Sequence, residues 1–533
     1  MDALLQQVIE QMQALRADAA AAAARDAVLR AELAEREAAA AARDTVLRAE
    51  LAAFREGKAL SPSAPSYASV GAEALQALED RRHISVASEP PADAPEDECA
   101  PVASPVDAER LRTCTDEHDL VAAITPLLRA ARGFDDIGDA QGPPDPCARV
   151  LVNSELTPWL DALHSPLRFS LLKRPDLFAT WSPFWTGYAS AARGNVGKLA
   201  ARALQLDGCV REFYEAKGGV GELTDADFGQ LVDYHSRVKG HVRGVLFNAR
   251  AFWLYESVRE YPIALTKGEW TARGSRALLR RFFDALPEPP LVPLLRHLCR
   301  TLGVVPRRVT ASGAVAPDGS AAKSGALLGA GGSARVFCVA AQAAGAPHAA
   351  LKASTALSRA DLEYEFSTLA RAAGAGAPVV PVVADSLVIY VDGETGKHRG
   401  GGFLLRDVCV SAVLDSGARC TAAFASLRAL HAAGFAHGDA RLPNLVVRGH
   451  GAAAEFLWID LRAAGEDAVA VAQRADARVL ATSVLGVKQG GVLPPPVAAA
   501  VACVPEGGDD AYKALAAAVW SAFLLPSPRG EAE

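Results

Sequence analysis

Residues 435–447 read FAHGDARLPNLVV, and this stretch narrows the possible folds of the chain more than any other. The octet from His437 to Asn444 is polar and turn-forming. An Ala- and Leu-rich run, TAAFASLRALHAAG (421–434), precedes it, and an apolar run beginning at Leu445 follows it. The first run has helical spacing and ends on Gly434, a residue suited to the left-handed position after a helix. The second reads as a strand. Asp439 and Asn444 therefore stand on a helix-to-strand loop, where oxygen-bearing side chains can act. Asp-, Asn- and Gly-rich turns are common, so the neighbouring segments have to supply partners for any chemistry.

They do so in order. LLGAGGSARVF (327–337) is a glycine-dense hairpin whose bare backbone amides can approach phosphates. HAALKAS (348–354) is a short apolar strand with one charged residue, Lys352, which could equally be a snorkelling surface lysine. SRADLEYEFSTLARAAG (358–374) reads as an amphipathic helix capped by Ser358, with Leu362, Phe366 and Leu369 inward. Glu363 and Glu365 both lie on it, and either could pair with Lys352. SLVIYVDGETGKHRGGGFLLRDV (386–408) is a strand, a turn and a strand leading into a hinge, and AEFLWIDLR (454–462) is a buried strand ending at Asp460.

This sequence of parts resembles the protein kinase-like fold over residues 326–525. The resemblance implies ATP and Mg²⁺ as cofactors and a hydroxyl acceptor on a protein substrate. It implies a nucleotide surface of Gly329, Gly331, Gly332, Val336, Lys352 and Leu405. Lys352 would hold the α- and β-phosphates, oriented by Glu365, which the family's spacing favours over Glu363. Asp439 would accept or orient the acceptor's proton, and Asn444 and Asp460 would bind Mg²⁺, a hard cation that takes oxygen ligands. Asp476 looks like the helix carboxylate that ties down the catalytic loop. The chain departs from the family pattern at Ala334, which replaces the third glycine, and at His437-Gly438-Asp439, which lacks the usual arginine. Asp460-Leu461-Arg462 stands where the metal motif is expected. Only 16 residues separate Asp460 from Asp476, leaving little room for a peptide platform. The rival readings are a DNA-binding or DNA-cleaving effector whose kinase-like part is regulatory or a pseudokinase, and a small-molecule phosphotransferase.

Residues 106–305 carry a second constellation. NSELTPWLDAL is helix-like and holds Glu155, and Pro175-Asp176 breaks a strand-like run. CVREFYEAKGG is a strand on which Glu215 and Lys217 share a face. TDADFGQLVDYHSRV is a helix holding Gln230. The order Glu155, Asp176, Glu215-x-Lys217, Gln230 resembles the PD-(D/E)xK restriction-endonuclease-like superfamily. The fusion of the two parts resembles crinkler-type effector proteins of algae, oomycetes and fungi. That resemblance implies Mg²⁺ shared by Asp176 and Glu215, with Lys217 stabilising developing charge, and DNA as a partner. Residues 151–300 hold 20 Lys and Arg against 15 Asp and Glu, a local excess of positive charge in a chain of net charge −7. The plainer reading makes Glu215 and Lys217 a surface salt bridge on an edge strand.

The remaining segments are simpler. Residues 1–58 repeat ARDAVLRAEL as ARDTVLRAEL after 18 residues, five whole helical turns. They read as a long helix that self-associates as a coiled coil, or as a solitary Ala-rich helix. Residues 59–105 and 306–325 are rich in Pro, Ser, Gly or acid and read as linkers, the first with a short helix near 72–82; residues 526–533 read as a disordered tail. Nine scattered cysteines form no CxxC pair, and neither a signal peptide nor a long apolar run appears. The expected class is a multidomain α+β chain: coiled-coil helix, α/β endonuclease-like domain, bilobal kinase-like domain. It is expected inside the cell, cytoplasmic or nuclear, with no membrane partner.

Overall fold

The structure is a computed structural model. It describes residues 66–524, apart from 91–93, 135–146, 154–174, 182–183, 185–208, 211, 219–222, 239–240, 259–260, 308–325, 342–345, 450–453, 462–468, 489–490 and 505–507. The expected coiled coil, Glu155, the C-terminal tail and most of the second linker lie outside the described residues. No helix among the described residues is long and apolar enough to cross a membrane.

The first half is built on a seven-stranded sheet. Helices α1 (Tyr67–Asp80), α2 (Pro105–Arg112) and α3 (Glu117–Arg132) and strand β1 (Ile84–Val86) precede β2 (Arg149–Asn153), β3 (Leu177–Trp181) and β4 (Glu212–Ala216). Helix α4 (Asp225–Ser236) leads into β5 (His241–Phe247), β6 (Ala251–Val258) and β7 (Tyr261–Glu269), followed by α5 (Ser275–Asp284). The spatial order is β1-β7-β6-β5-β4-β3-β2, with β4 parallel to β5 and β3 antiparallel to β4. All five side chains of β4 are buried, as befits a central strand covered on both faces. Helix α4 is started by a capping box between Thr224 and Asp227.

The span expected as a linker is folded from residue 67 onward. Helix α1 begins earlier than the short helix expected near 72–82, and it lies backbone-to-backbone on α4. A Cβ on Gly71 would stand 1.7 Å from the Asp225 carbonyl oxygen, and one on Gly229 1.8 Å from that of Tyr67. Strand β1 then adds in parallel to β7, Ile84 opposite Leu265. All three β1 side chains are exposed, so main-chain hydrogen bonds hold it and the polar composition of this span conceals the fold.

The second half opens with α6 (Leu291–Leu302) and β8 (Val304–Pro306). An antiparallel sheet follows: β9 (Leu327–Ala330), β10 (Arg335–Ala341), β11 (His348–Ser354), β12 (Val388–Val391) and β13 (His398–Leu405). Its order is β12-β13-β11-β10-β8, with β9 also on β10. Helix α7 (Arg359–Gly374) packs on it. Below lie α8 (Gly417–Ala432), the small sheet β14 (Val410–Ser411), β15 (Leu445–Arg448) and β16 (Glu455–Trp458), and helices α9 (Val469–Val484), α10 (Pro495–Ala502) and α11 (Gly508–Leu524).

The expected boundary at residue 305 is not a gap in packing. Strand β8 pairs with β10, Val305 opposite Ala340. Leu291, Leu294 and Leu298 of α6 share one buried core with Phe184 and Val150 on one side and Phe337 and Leu351 on the other. Phe184 meets Phe337 edge-on at 5.4 Å. The buried residues of α6 (Leu291, Val292, Leu294, Leu295, Leu298 and Cys299) make one broad apolar face, which serves both halves.

Candidate functional site

Strand register sets the first part of the site. Val336 on β10 stands opposite Gly329 on β9 and opposite Lys352 on β11, and Lys352 stands opposite Phe403 on β13. Lys352 is 4% exposed. Its ammonium donates to Glu365 on α7, 13 residues away, and to Asp460 beyond β16, 108 residues away. Burial alone would pull the lysine pKa down, but the Asp460 and Glu365 carboxylates overcome it and hold the pKa above its ordinary value. Burial raises the Glu365 pKa. The alternative glutamate, Glu363, faces away and bonds Arg359 at 2.7 Å.

The second part is the loop 437–444. Gly438 adopts φ 78° and Asp460 φ 60°, so both take left-handed backbone positions. Asp476 on α9, 2% exposed, accepts the amides of His437 (2.6 Å) and Gly438 (2.9 Å). It also faces His431 at 3.1 Å, and His431 in turn bonds the Tyr512 hydroxyl. The His437 ring bonds the Ile459 carbonyl at 2.9 Å, and burial keeps its pKa below the ordinary value. Asn444 donates to the Asp439 carbonyl (2.9 Å) and carboxylate (3.3 Å). The Ile459 amide donates to the Asn444 carbonyl at 3.1 Å, bringing Asn444 and Asp460 to the same end of the β15–β16 hairpin.

Arg441, absent from the residues singled out by sequence, grips the Asp439 carboxylate in a fork, Nε and Nη2 each at 2.7 Å. It stands inside the quoted octet, so the residue was visible while its pairing was not. Asn444 spends its amide nitrogen on Asp439, leaving its side-chain oxygen for a cation, and Asp460 adds a carboxylate. Two oxygen donors at one hairpin end suit Mg²⁺, which takes few protein ligands and completes its shell with phosphates and water. Leu405, 4% exposed, is a core residue opposite Ala350, so only its position at the end of β13 speaks for a nucleotide contact.

A second cluster forms in the first half. Asp176, immediately before β3, and Glu215 on the adjacent β4 come together despite the 39 residues between them. The Ala216 amide donates to Asp176 Oδ2 at 2.7 Å, and the Asp176 amide to Glu215 Oε2 at 3.3 Å. Lys217 reaches Glu215 Oε1 at 3.2 Å and Gln230 Oε1 at 3.0 Å, and Gln230 donates to Glu215 at 2.6 Å. Burial, then the nearby Asp176 charge, pushes the Glu215 pKa up to about 8. Glu117, at the start of α3, accepts the Gly218 amide at 3.3 Å and adds negative charge beside Lys217. No sequence signal marks Glu117, 101 residues upstream. Among the described residues no group of three or more His, Cys, Asp and Glu is placed to hold a metal. Both Glu215 oxygens accept internal hydrogen bonds, so a cation shared with Asp176 would have to displace or share them. A cavity of about 410 Å³ opens near the β5–β6 turn, lined by Arg112, Arg250, Glu269 and Trp270.

No protein-family model matches this chain, and no curated protein matches it in sequence. Among solved structures, the kinase domain of Mycobacterium tuberculosis PknI is similar at 16% identity and TM-score 0.23, over 37% of this chain and 94% of that one. Its C20A mutant is similar at 18% identity and TM-score 0.23, with the same coverage. WaaP, solved in complex with acyl carrier protein, is similar at 18% identity and TM-score 0.22, over 31% of this chain and 72% of that one. Likenesses this weak carry no argument of their own; the kinase-like reading of the C-terminal half rests on the geometry of its site.

Proposed function

We propose that the C-terminal half is an ATP-dependent phosphotransferase acting on Ser or Thr hydroxyls of protein. The observation that carries this reading is the convergence of buried Lys352 with Glu365 and Asp460, from three separate elements, at the mouth of a glycine hairpin. Phosphoryl transfer asks for positioning and charge neutralisation more than covalent help. Lys352 binds the α- and β-phosphates, and Glu365 keeps its ammonium aimed. Asn444 and Asp460 would hold Mg²⁺, which would supply charge neutralisation at the phosphates. Asp439 orients the acceptor hydroxyl and takes its proton, with Arg441 and Asn444 fixing the carboxylate. Asp476 stiffens the loop that carries them.

The test is nucleotide binding followed by transfer to generic basic protein, sugars and aminoglycosides. Binding lost in Lys352→Ala, with transfer to protein in the wild type, supports the reading. Transfer only to small molecules supports the small-molecule rival. Binding without any transfer supports a pseudokinase.

A second reading concerns the first half, and the Asp176–Glu215–Lys217–Gln230 cluster at β3, β4 and α4 favours it. That half is proposed to bind nucleic acid, the local positive excess of residues 151–300 meeting the phosphate backbone. Incubation of supercoiled DNA with Mg²⁺, wild type beside Lys217→Ala, separates binding from cleavage. Nicking that Lys217→Ala removes would make this half a nuclease, and retention without nicking would leave it a binding domain.

A further inference from the structure

The glycine turn between β9 and β10 is held from one side only. Arg335, 8% exposed, directs Nη1 to the carbonyls of Gly331 and Ala334, the latter at 2.8 Å. Ser354 on β11, 1% exposed, donates its hydroxyl to the Ser333 carbonyl at 2.5 Å. The Gly331 amide closes the turn on the Ala334 carbonyl at 2.9 Å. The carbonyls of residues 331, 333 and 334 are thus all taken by donors of the chain itself. Among the described residues, the amides of Gly332 and Ser333 make no hydrogen bond.

The glycines here are not required by the chain. A Cβ on Gly329 or Gly332 would meet nothing within 4 Å, and one on Gly331 only the Ala334 oxygen at 3.7 Å. None of the three has a left-handed φ. The bareness of this turn therefore serves something that approaches from outside.

Ser354 has a second task. Its oxygen accepts the amides of Ala356 (3.1 Å) and Leu357 (3.0 Å), which lead into Ser358, the N-cap of α7. Helix α7 carries Glu365, the partner of Lys352. One buried hydroxyl thus joins the glycine turn to the approach of that helix.

We propose that Arg335 and Ser354 are positioning residues that form a two-point clamp on the glycine turn. The clamp turns the carbonyls of residues 331, 333 and 334 inward and presents the Gly332 and Ser333 amides to a nucleotide's polyphosphate, and Ser354 makes the turn and α7 move together. The inference rests on the nucleotide-binding reading given above. Backbone amides so directed form an anion-binding concavity.

The test uses the full chain with Arg335→Met, Arg335→Lys and Ser354→Ala, titrated with ATP, ADP and adenosine by calorimetry. The clamp predicts about tenfold weaker ATP and ADP binding in Arg335→Met and Ser354→Ala, from one lost buried hydrogen bond or more. Adenosine binding stays within about twofold, because it lacks phosphates, and Arg335→Lys recovers part of the loss. Amide hydrogen exchange rises over residues 330–334 in both variants, and over 355–362 in Ser354→Ala alone. Unchanged ATP affinity overturns the clamp. Equal loss of ATP and adenosine also overturns it, since that marks collapse of the sheet. A wild type that binds no nucleotide ends the phosphate role together with the reading beneath it. Exchange then judges the tie between turn and helix, and unchanged protection in Ser354→Ala rejects it.

Discussion

Asp476 accepts the His437 amide at 2.6 Å through one carboxylate oxygen and the Gly438 amide at 2.9 Å through the other. Both oxygens are needed. Asp476→Asn keeps the shape but replaces one acceptor by a donor, leaving a buried amide unpaired at a cost of about 1–3 kcal/mol. The loop then loses its fixed aim at the acceptor, and phosphotransfer falls about 100-fold. ATP affinity, set by Lys352 and the glycine turn, stays within about threefold. Single-turnover transfer beside equilibrium binding checks the split.

Arg441 forks onto Asp439 with two bonds of 2.7 Å. Such a bidentate pair depends on a planar guanidinium, and an ammonium can only approximate it. Arg441→Ala should lower kcat/KM for transfer by about 10- to 100-fold, and Arg441→Lys by less. Steady-state kinetics of both variants measure this, and an unchanged Arg441→Ala would remove Arg441 from the machinery.

Gly71 touches the backbone of α4, its absent Cβ directed 1.7 Å from the Asp225 oxygen. Gly71→Ala forces α1 off α4, and β1 loses its anchor. The expected loss is about 2 kcal/mol or more. Urea unfolding, together with protease sensitivity near residues 80–95, reads it out.

His235 is fully buried, with Nδ1 2.5 Å from the Ser257 hydroxyl and its ring beside Phe213 and Tyr255. Burial, with a smaller contribution from His241, lowers its pKa to about 3. Between that value and the ordinary 6.5 the unfolded chain binds a proton that the folded chain refuses. Stability from this residue is therefore complete above pH 6.5 and is lost as pH falls toward 3, by a few kcal/mol in all. His235→Asn should lower stability at pH 7 and flatten the slope between pH 6.5 and 4. Urea midpoints across that range decide it.

Much of the C-terminal site was legible because its chemistry needs particular residues at particular places. A lone lysine on an apolar strand, a carboxylate closing a strand and an Asp–Asn loop after a helix each stand out against apolar periodicity. The family resemblance favours Glu365 over Glu363, and the structure pairs Glu365 with Lys352 while Glu363 bonds Arg359. What the sequence does not display depends on tertiary placement. Arg441 stands inside the octet 437–444, but its grip on Asp439 follows from the folded loop. Glu117 meets Gly218 across 101 residues of chain. The span from residue 67 to 105 looks like a linker because β1 is held by main-chain bonds, which composition does not record. Helix α6 is amphipathic enough to read as core, yet nothing in its spacing says that it serves two halves at once.

The most direct test of the central claim is transfer of the γ-phosphate of ATP, with Mg²⁺, to generic basic protein by the wild type beside Asp439→Ala. The account predicts transfer by the wild type and a loss of at least about 1000-fold in the variant, with ATP binding retained. Equal transfer by both proteins would contradict it, as would a wild type that binds ATP and transfers to no acceptor.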